Sequence, residues 1–334
     1  MKNTKRMMGE IEQHNLNYQP SIQVVMEQDK TTIANSTSFA LATKAKDYFL
    51  LIKFTLSFMV VFSTVVSFLI APNELLYVRS KVISVLLLFV GGMLITGSAN
   101  AINQVLEKDT DALMKRTSAR PVASGRMSVA EATTFAVITG MLGVFIFWYW
   151  FNFQSALVGL AGLLLYGFVY TPLKKINSVA VLVGAIPGAL PCLIGWVAAT
   201  GNFGIGGWIL FGIQFLWQFP HFWAIAWLAH QDYTIAGFKL LPGDKGPTKF
   251  TALQTVIYSA MMIPVGFLPY FTGILDIGTR GIICSFILFI CNLWMVYVSI
   301  LLFKNMDVKS ARKVMFSSYF YLMFVLLALF LGRP

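Results

Sequence analysis

"VISVLLLFVGGMLITGSANAINQVLEKDTDALMKRTSARP", residues 82–121, decides how this chain is read. It begins as an apolar run long enough to cross a bilayer, for which about 20 residues suffice. It then passes through Asn100 and Asn103 into Glu107, Asp109 and Asp111, and closes on Lys115, Arg116 and Arg120. On a helix turning about 100° per residue, Asn103, Glu107 and Asp111 share one stripe, spaced about 6 Å along the axis. Asn100 falls beside that stripe, and Asp109 lies nearly opposite Glu107. A helix end dissolving into headgroups would account for the acids one by one. It accounts less well for the two amides, because an unsatisfied amide inside an apolar boundary is costly. A stripe of hard oxygen donors suits Mg²⁺, which is held by one or two carboxylates together with substrate phosphates. The basic cluster beyond it suits a phosphate partner, or serves as a positively charged anchor at the membrane face.

The composition supports a membrane setting. Of 334 residues, 57% are hydrophobic and 12% charged, and the mean hydropathy is +0.72. A soluble domain carries about 25% charged residues. The net charge of +11 is explained by basic loops between apolar runs rather than by nucleic acid. Cys192, Cys284 and Cys291 fall in apolar runs, and no CxxC, Walker-type loop or HExxH occurs, so no zinc site or disulfide framework is indicated. The expected architecture is all-α and polytopic, with nine membrane spans at roughly 48–70, 82–106, 131–151, 155–172, 178–199, 207–229, 251–273, 281–303 and 314–332. Residues 1–47 read as a mostly disordered cytoplasmic tail without the apolar segment of a signal peptide, and residues 48–334 as the membrane domain.

Basic residues orient the spans. The tail carries six, and Lys108, Lys115, Arg116, Arg120 and Arg126 follow the second span. Lys174 and Lys175 follow the fourth, Lys239, Lys245 and Lys249 the sixth, and Lys304, Lys309, Arg312 and Lys313 the eighth. The other side receives Arg79, Lys81, Arg280 and Arg333. This places the N-terminus and the long loops, 106–130 and 230–250, in the cytoplasm and the C-terminus outside.

A second polar end lies in the sixth span. Gln214, Gln218 and His221 share a helical face. Asp232 stands about 20° round and about 16 Å beyond His221 if the helix continues past Pro220. An intramembrane histidine is a functional candidate, with a satisfied core histidine as the plain alternative. Asp232 supplies a carboxylate at a second helix end, or is simply a helix-terminal acid. Lys53 either snorkels out of the first span or reaches a diphosphate. Lys174 is an interfacial anchor or reaches the same mouth. Gly184 and Gly188 form a GxxxG that suits close helix contact.

Three stretches together, "NQVLEKDTDALMKRTSARPVASG", "YTPLKKINSVAVLVGAIPGALPCLIGW" and "WQFPHFWAIAWLAHQDYTIAGFKLLP", resemble the protohaem IX farnesyltransferases, or haem O synthases, within the intramembrane prenyltransferase superfamily. The resemblance runs from about Tyr48 to Leu331. It implies nine helices around a central cavity open to the cytoplasmic side, in a bacterial inner membrane. It implies transfer of the farnesyl group of farnesyl diphosphate to a vinyl group of haem B, with water addition, giving haem O and diphosphate for haem-copper oxidases. Haem A synthase or oxidase assembly proteins are the implied partners. By position, Asn103, Glu107 and Asp111 match the first metal–diphosphate motif, Arg116 and Arg120 its basic pair, Asp232 the first acid of the second motif, and His221 the haem-associated histidine. Mg²⁺ is then implied on Glu107, Asp111 and Asp232. Lys53 and Lys174, from their own positions, are further candidates for the diphosphate.

Two departures matter. Position 236 is Ala where the wider superfamily usually repeats an acid, which favours this branch over quinone prenyltransferases. Phe54 and Thr55 follow Lys53 where Pro and Arg are usual, which leaves the role of Lys53 open. Prenyl transfer to a quinone or another aromatic acceptor is the alternative within the class. A metal or organic-anion transporter is the alternative outside it, although no convincing inverted repeat is visible.

Overall fold

The computed structural model describes residues 42–72, 80–243 and 246–334. Residues 1–41 of the expected tail, with Arg79 and Lys245, lie outside the described residues. Residues 42–47, also assigned to the tail, are helical. Leu50–Pro334 form one compact unit.

Two helices, α1 (Ala42–Leu51) and α2 (Phe54–Ile70), stand where one span was expected. Next, α3 (Lys81–Leu106) runs into a short α4 (Lys108–Leu113). The helices α5 (Val129–Ile146) and α6 (Phe153–Leu164) each continue through a widened turn, Phe147–Phe151 and Leu165–Tyr170, and α7 (Thr171–Leu173) closes the second. Then come α8 (Ala180–Thr200), α9 (Ile205–Leu228) and a short α10 (His230–Ile235). The chain ends on α11 (Lys249–Phe271), α12 (Thr279–Asn305) and α13 (Val308–Gly332). Among the described residues there is no strand. Among the described residues, eight helices are long and apolar enough to cross a membrane, or up to nine if the α1–α2 pair counts as one broken span. The chain is a multi-pass membrane protein.

The apolar windows of α8 and α9 are 78% and 72% buried, whereas those of the other spans are 28–44% buried. These two helices form the centre. Helices α2, α6 and α9 pack on α8, α11 and α13 pack on α9, and α2 contacts both α3 and α13. The outer helices turn large side chains such as Leu86, Trp148, Phe286 and Phe324 outward, as hydrocarbon surroundings permit.

The first span breaks because Lys53 adopts a left-handed backbone, with φ 48° and ψ 57°. For a bulky residue this costs about 1–3 kcal/mol. The break strips carbonyls of their helical donors, and α3 replaces them. Gln104 Nε2 donates to the Leu50 and Leu51 carbonyls at 2.9 and 3.0 Å. Asn100 Nδ2 donates to the Ile52 carbonyl at 3.2 Å and to Ser57 Oγ at 3.0 Å. Asn100 therefore serves the broken helix, although the sequence placed it on the edge of the acidic stripe.

Pro187 and Pro191 lie inside α8 and remove two backbone donors. Side chains from both neighbours bond to carbonyls on that stretch. Gln218 Nε2 donates to the Ala185 carbonyl and Gln214 Nε2 to the Gly188 carbonyl, both at 2.9 Å. Ser67 Oγ donates to the Cys192 carbonyl at 2.5 Å. Gly184 leaves room for the Tyr170 ring and Gly188 for the Gln218 amide, so the GxxxG does mark close approach. At the other end of α8, a β-carbon at Gly195 would collide with the Thr64 carbonyl of α2. The last helix starts at Val308, ahead of the expected 314. Its cap Asp307 accepts from the Ser310 N–H at 2.7 Å, a bond that also holds this carboxyl below the usual carboxylate range.

Substituting Gly195→Ala pushes α2 off α8 and should lower stability by about 1–3 kcal/mol, the usual cost of overpacking. Thermal unfolding in detergent measures it, and an unshifted midpoint would contradict the backbone contact.

Candidate active site

The polar residues gather at one end of the bundle, where α3, α6 and α9 finish and α2 begins. Asn103, Glu107 and Asp111 are 1%, 4% and 0% exposed, while Asp109 is exposed. The stripe drawn from the sequence is therefore the buried one. It is slightly bent, because α3 ends at Leu106 and Glu107 has φ −100° and ψ 11° before α4 resumes. The end of α9 is built the same way. Ala229 has φ −99° and ψ 16°, and α10 follows. The two acidic helix ends share this conformation, so the continuous helix projected from His221 to Asp232 is interrupted.

Each rung of the stripe carries a basic side chain from a different part of the chain. Lys53 Nζ, aimed by its left-handed backbone, donates to Asn103 Oδ1 at 2.7 Å. Lys174 Nζ, at the exit of α7, meets Glu107 Oε1 at 2.7 Å. Arg120 Nη1, from the loop after α4, meets Asp111 Oδ2 at 2.6 Å. Asn103 is fixed further by donating to Thr171 Oγ1 at 3.2 Å, and Thr171 donates in turn to the Tyr166 carbonyl at 2.9 Å. The widened turn Leu165–Tyr170 rotates these residues toward α3. Lys174 also lies 4.6 Å from the Tyr170 ring centroid and 5.5 Å from that of Phe238. It is therefore buried and paired, not an interfacial anchor.

The α10 end joins the same region. Met114, Ala236 and Phe238 form a small apolar cluster with Tyr233 and Leu240 against it. The Lys239 N–H donates to the Lys174 carbonyl at 2.7 Å. Arg116 is exposed, donates to Tyr233 Oη at 3.4 Å and lies 5.9 Å from its ring centroid. Asp232 is half-buried. Among the described residues, no three His, Cys, Asp or Glu side chains stand close enough to hold a metal by themselves. Glu107, Asp111 and Asp232 thus do not form a ready-made protein cage.

Mg²⁺ does not require one, since it retains waters and takes phosphate oxygens beside one or two carboxylates. Asp111 Oδ1 is buried with no hydrogen-bond partner among the described residues, as is Thr110 Oγ1. An oxygen left in that condition is costly, so the donor set fits a hard cation. Three basic groups stand against two carboxylates on the stripe, which suits an anionic ligand.

His221 lies apart from this cluster, within α9 and 7% exposed. Its Nδ1 is 2.7 Å from Ser318 Oγ of α13. Trp217 stacks on its ring at 5.0 Å, and Tyr319 meets it edge-on at 4.8 Å. At the opposite end of the bundle, a cavity of about 470 Å³ is lined by Leu69, Lys81, Trp196, Ile205, Thr272 and Arg333, among others.

The UbiA prenyltransferase family profile matches residues 60–330. The chain belongs to the UbiA prenyltransferase family. Within that family it is similar to the protoheme IX farnesyltransferase of Cytophaga hutchinsonii, 39% identical over 88% of this chain and 99% of the relative. The protoheme IX farnesyltransferase of Flavobacterium psychrophilum is 43% identical over 80% of this chain and 87% of its own length. Among solved structures, a digeranylgeranylglyceryl phosphate synthase matches with a TM-score of 0.70 at 22% identity, over 87% of this chain and 98% of the other. A UbiA homolog from Archaeoglobus fulgidus bound to GPP and Mg²⁺ matches with a TM-score of 0.63 at 17% identity, over 85% and 99%. These two likenesses establish the UbiA fold.

Tyr170, Thr171 and Tyr233 were not singled out from the sequence. Only Tyr170 carried a signal, standing four residues before Lys174 on one helix face. The Lys174–Glu107 pair can be tested by a double-mutant cycle with Glu107→Gln and Lys174→Met. Each single change strands a buried charge and should cost about 3–5 kcal/mol, and the double change less than their sum. Additive losses in detergent unfolding would mean the two groups do not interact.

Proposed function

We infer that this chain transfers the farnesyl group of farnesyl diphosphate to a vinyl group of haem B. Water adds a hydroxyl, and the products are haem O and diphosphate. The observation that carries the reading is the stripe Asn103, Glu107 and Asp111, each rung bearing one basic side chain, in a chain similar to protoheme IX farnesyltransferases.

The reaction breaks a C–O bond to a diphosphate, forms a C–C bond to the vinyl group, takes its hydroxyl from water and releases a proton. Diphosphate leaves poorly until its charge is neutralised. Mg²⁺, held by Glu107 and Asp111 with Asp232 as a further candidate ligand, would supply that neutralisation. Arg120, Arg116, Lys53 and Lys174 add positive charge at the same end, placed before the reaction begins. The basic groups that hold the carboxylates in the free protein would then turn to the diphosphate oxygens. Pre-placed charge of this kind requires little reorganisation as the bond breaks. The farnesyl chain would need a dry, apolar path into the bundle, so that water does not capture the allylic cation early. His221, deeper in the bundle, would ligate the haem iron.

The basic loops at this end support a cytoplasmic placement in a bacterial plasma membrane, with the N-terminus inside and the C-terminus outside. Haem A synthase or oxidase assembly proteins would receive the product. Supporting Mg²⁺ as the metal, an archaeal homolog of the same fold is described as bound to GPP and Mg²⁺.

Purified protein given haem B, farnesyl diphosphate and Mg²⁺ should yield a farnesylated haem of the expected mass, and chelation should abolish it. Asp111→Asn should lower the rate about a hundredfold or more, the scale for losing one preorganised charge-stabilising group. Prenylation of a quinone but not of haem would move the chain to the alternative acceptor class. Asp232→Asn should weaken farnesyl diphosphate binding and turnover without changing haem affinity. A loss of haem affinity instead would remove Asp232 from the diphosphate end.

A further inference from the structure

The surroundings of His221 assign its tautomer. Ser318 Oγ makes two hydrogen bonds, one to the Met315 carbonyl at 2.6 Å and one to His221 Nδ1 at 2.7 Å. A hydroxyl has one proton and two acceptor lone pairs. The carbonyl can only accept, so the Ser318 proton is committed to Met315. The bond to the ring must then run the other way, with Nδ1–H donating and Ser318 Oγ accepting. A neutral imidazole with its proton on Nδ1 carries its lone pair on Nε2. Nε2 has no hydrogen-bond partner among the described residues.

The same serine is held from a second direction. Trp217 Nε1 donates to the Ser318 carbonyl at 2.6 Å, and the Trp217 ring lies nearly parallel to the His221 ring, 16° between planes. Trp217 and His221 are one helical turn apart on α9, and both bond to one residue of α13. The imidazole is thereby fixed in rotation, by its stacked face, and in tautomer, by its bonded edge. A histidine needed only for packing requires neither a chosen tautomer nor a bare nitrogen.

We propose that Ser318 is a positioning residue that holds His221 with Nε2 unprotonated, ready to bind the iron of the haem substrate. This rests on the haem reading of His221 given above. It adds a named outer partner of the kind that orients metal-ligating histidines and raises their basicity. The step forms one coordinate bond, from the lone pair of a neutral ring nitrogen to iron; no bond of the ring is broken and no proton has to leave first.

The test separates the tautomer from the haem reading. In full-length haem-free protein labelled with ¹⁵N-histidine, the signals lost in His221→Ala identify this ring. They should show a protonated Nδ1 and a bare Nε2. A protonated Nε2 overturns the proposal whatever happens with haem. Haem B is then titrated into wild type, Ser318→Ala, Ser318→Thr and His221→Ala. His221→Ala should lose the nitrogen-ligated spectrum. Ser318→Ala should weaken haem binding about tenfold or more, the usual scale for an outer-shell partner, and should alter that spectrum. Ser318→Thr, which keeps the hydroxyl, should restore both. Farnesyl diphosphate binding should be unchanged in all of them, which also reports intact folding. If Ser318→Ala binds haem as wild type while His221→Ala does not, the positioning role falls and the ligand reading stands. If His221→Ala keeps the wild-type spectrum and affinity, the haem reading falls, and the ¹⁵N result still decides the tautomer.

Discussion

Ionic groups inside an apolar bundle must be matched, and that requirement organises one whole end of this protein. A single carboxylate at the depth of Glu107 or Asp111 would be prohibitive alone. Each is met by a cation from elsewhere in the chain: Lys174 from the end of α7 and Arg120 from the loop after α4. Asn103, the third rung, takes Lys53. Because the partners come from separate segments, forming the pairs also fixes where α2, α3 and α7 stand relative to one another. The charges needed for chemistry and those that hold the helix ends in register are the same.

Those pairs explain two departures from regular helix. The left-handed Lys53 is the position from which an ammonium reaches Asn103, and Gln104 and Asn100 bond to the carbonyls exposed by that break. The widened turn before Thr171 likewise brings Thr171 to Asn103 and Lys174 to Glu107. In both places strain or irregular backbone sits next to a polar group within the bundle. This is where irregular backbone survives in a membrane protein, because neighbouring side chains satisfy it.

The centre follows a different logic. Helices α8 and α9 are surrounded by other helices, so their contacts are made by small residues and by amides bonded to backbone. Gly195 lets α2 approach, and Gln214 and Gln218 bond to carbonyls near the prolines of α8. The sequence placed Gln214, Gln218 and His221 on one helical face. The structure divides them. The glutamines serve α8, while His221 turns to Ser318 of α13.

The sequence by itself determined the membrane class, the span limits to within a few residues at most ends, and the grouping of Asn103, Glu107 and Asp111 on one helical stripe. These are one-dimensional properties. Apolar length and helical period along a single segment fix them, and the short acidic stripe is local to one helix end. Only the tertiary structure decided that Lys174 belongs to Glu107 and Lys53 to Asn103. It also decided that Asn100 serves a broken helix, and that Ser318 partners a histidine 97 positions away. Those outcomes depend on which segments a packed bundle brings side by side. A lysine at an apolar boundary reads the same whether it snorkels to water or finds a buried carboxylate, and only the neighbour tells the two apart.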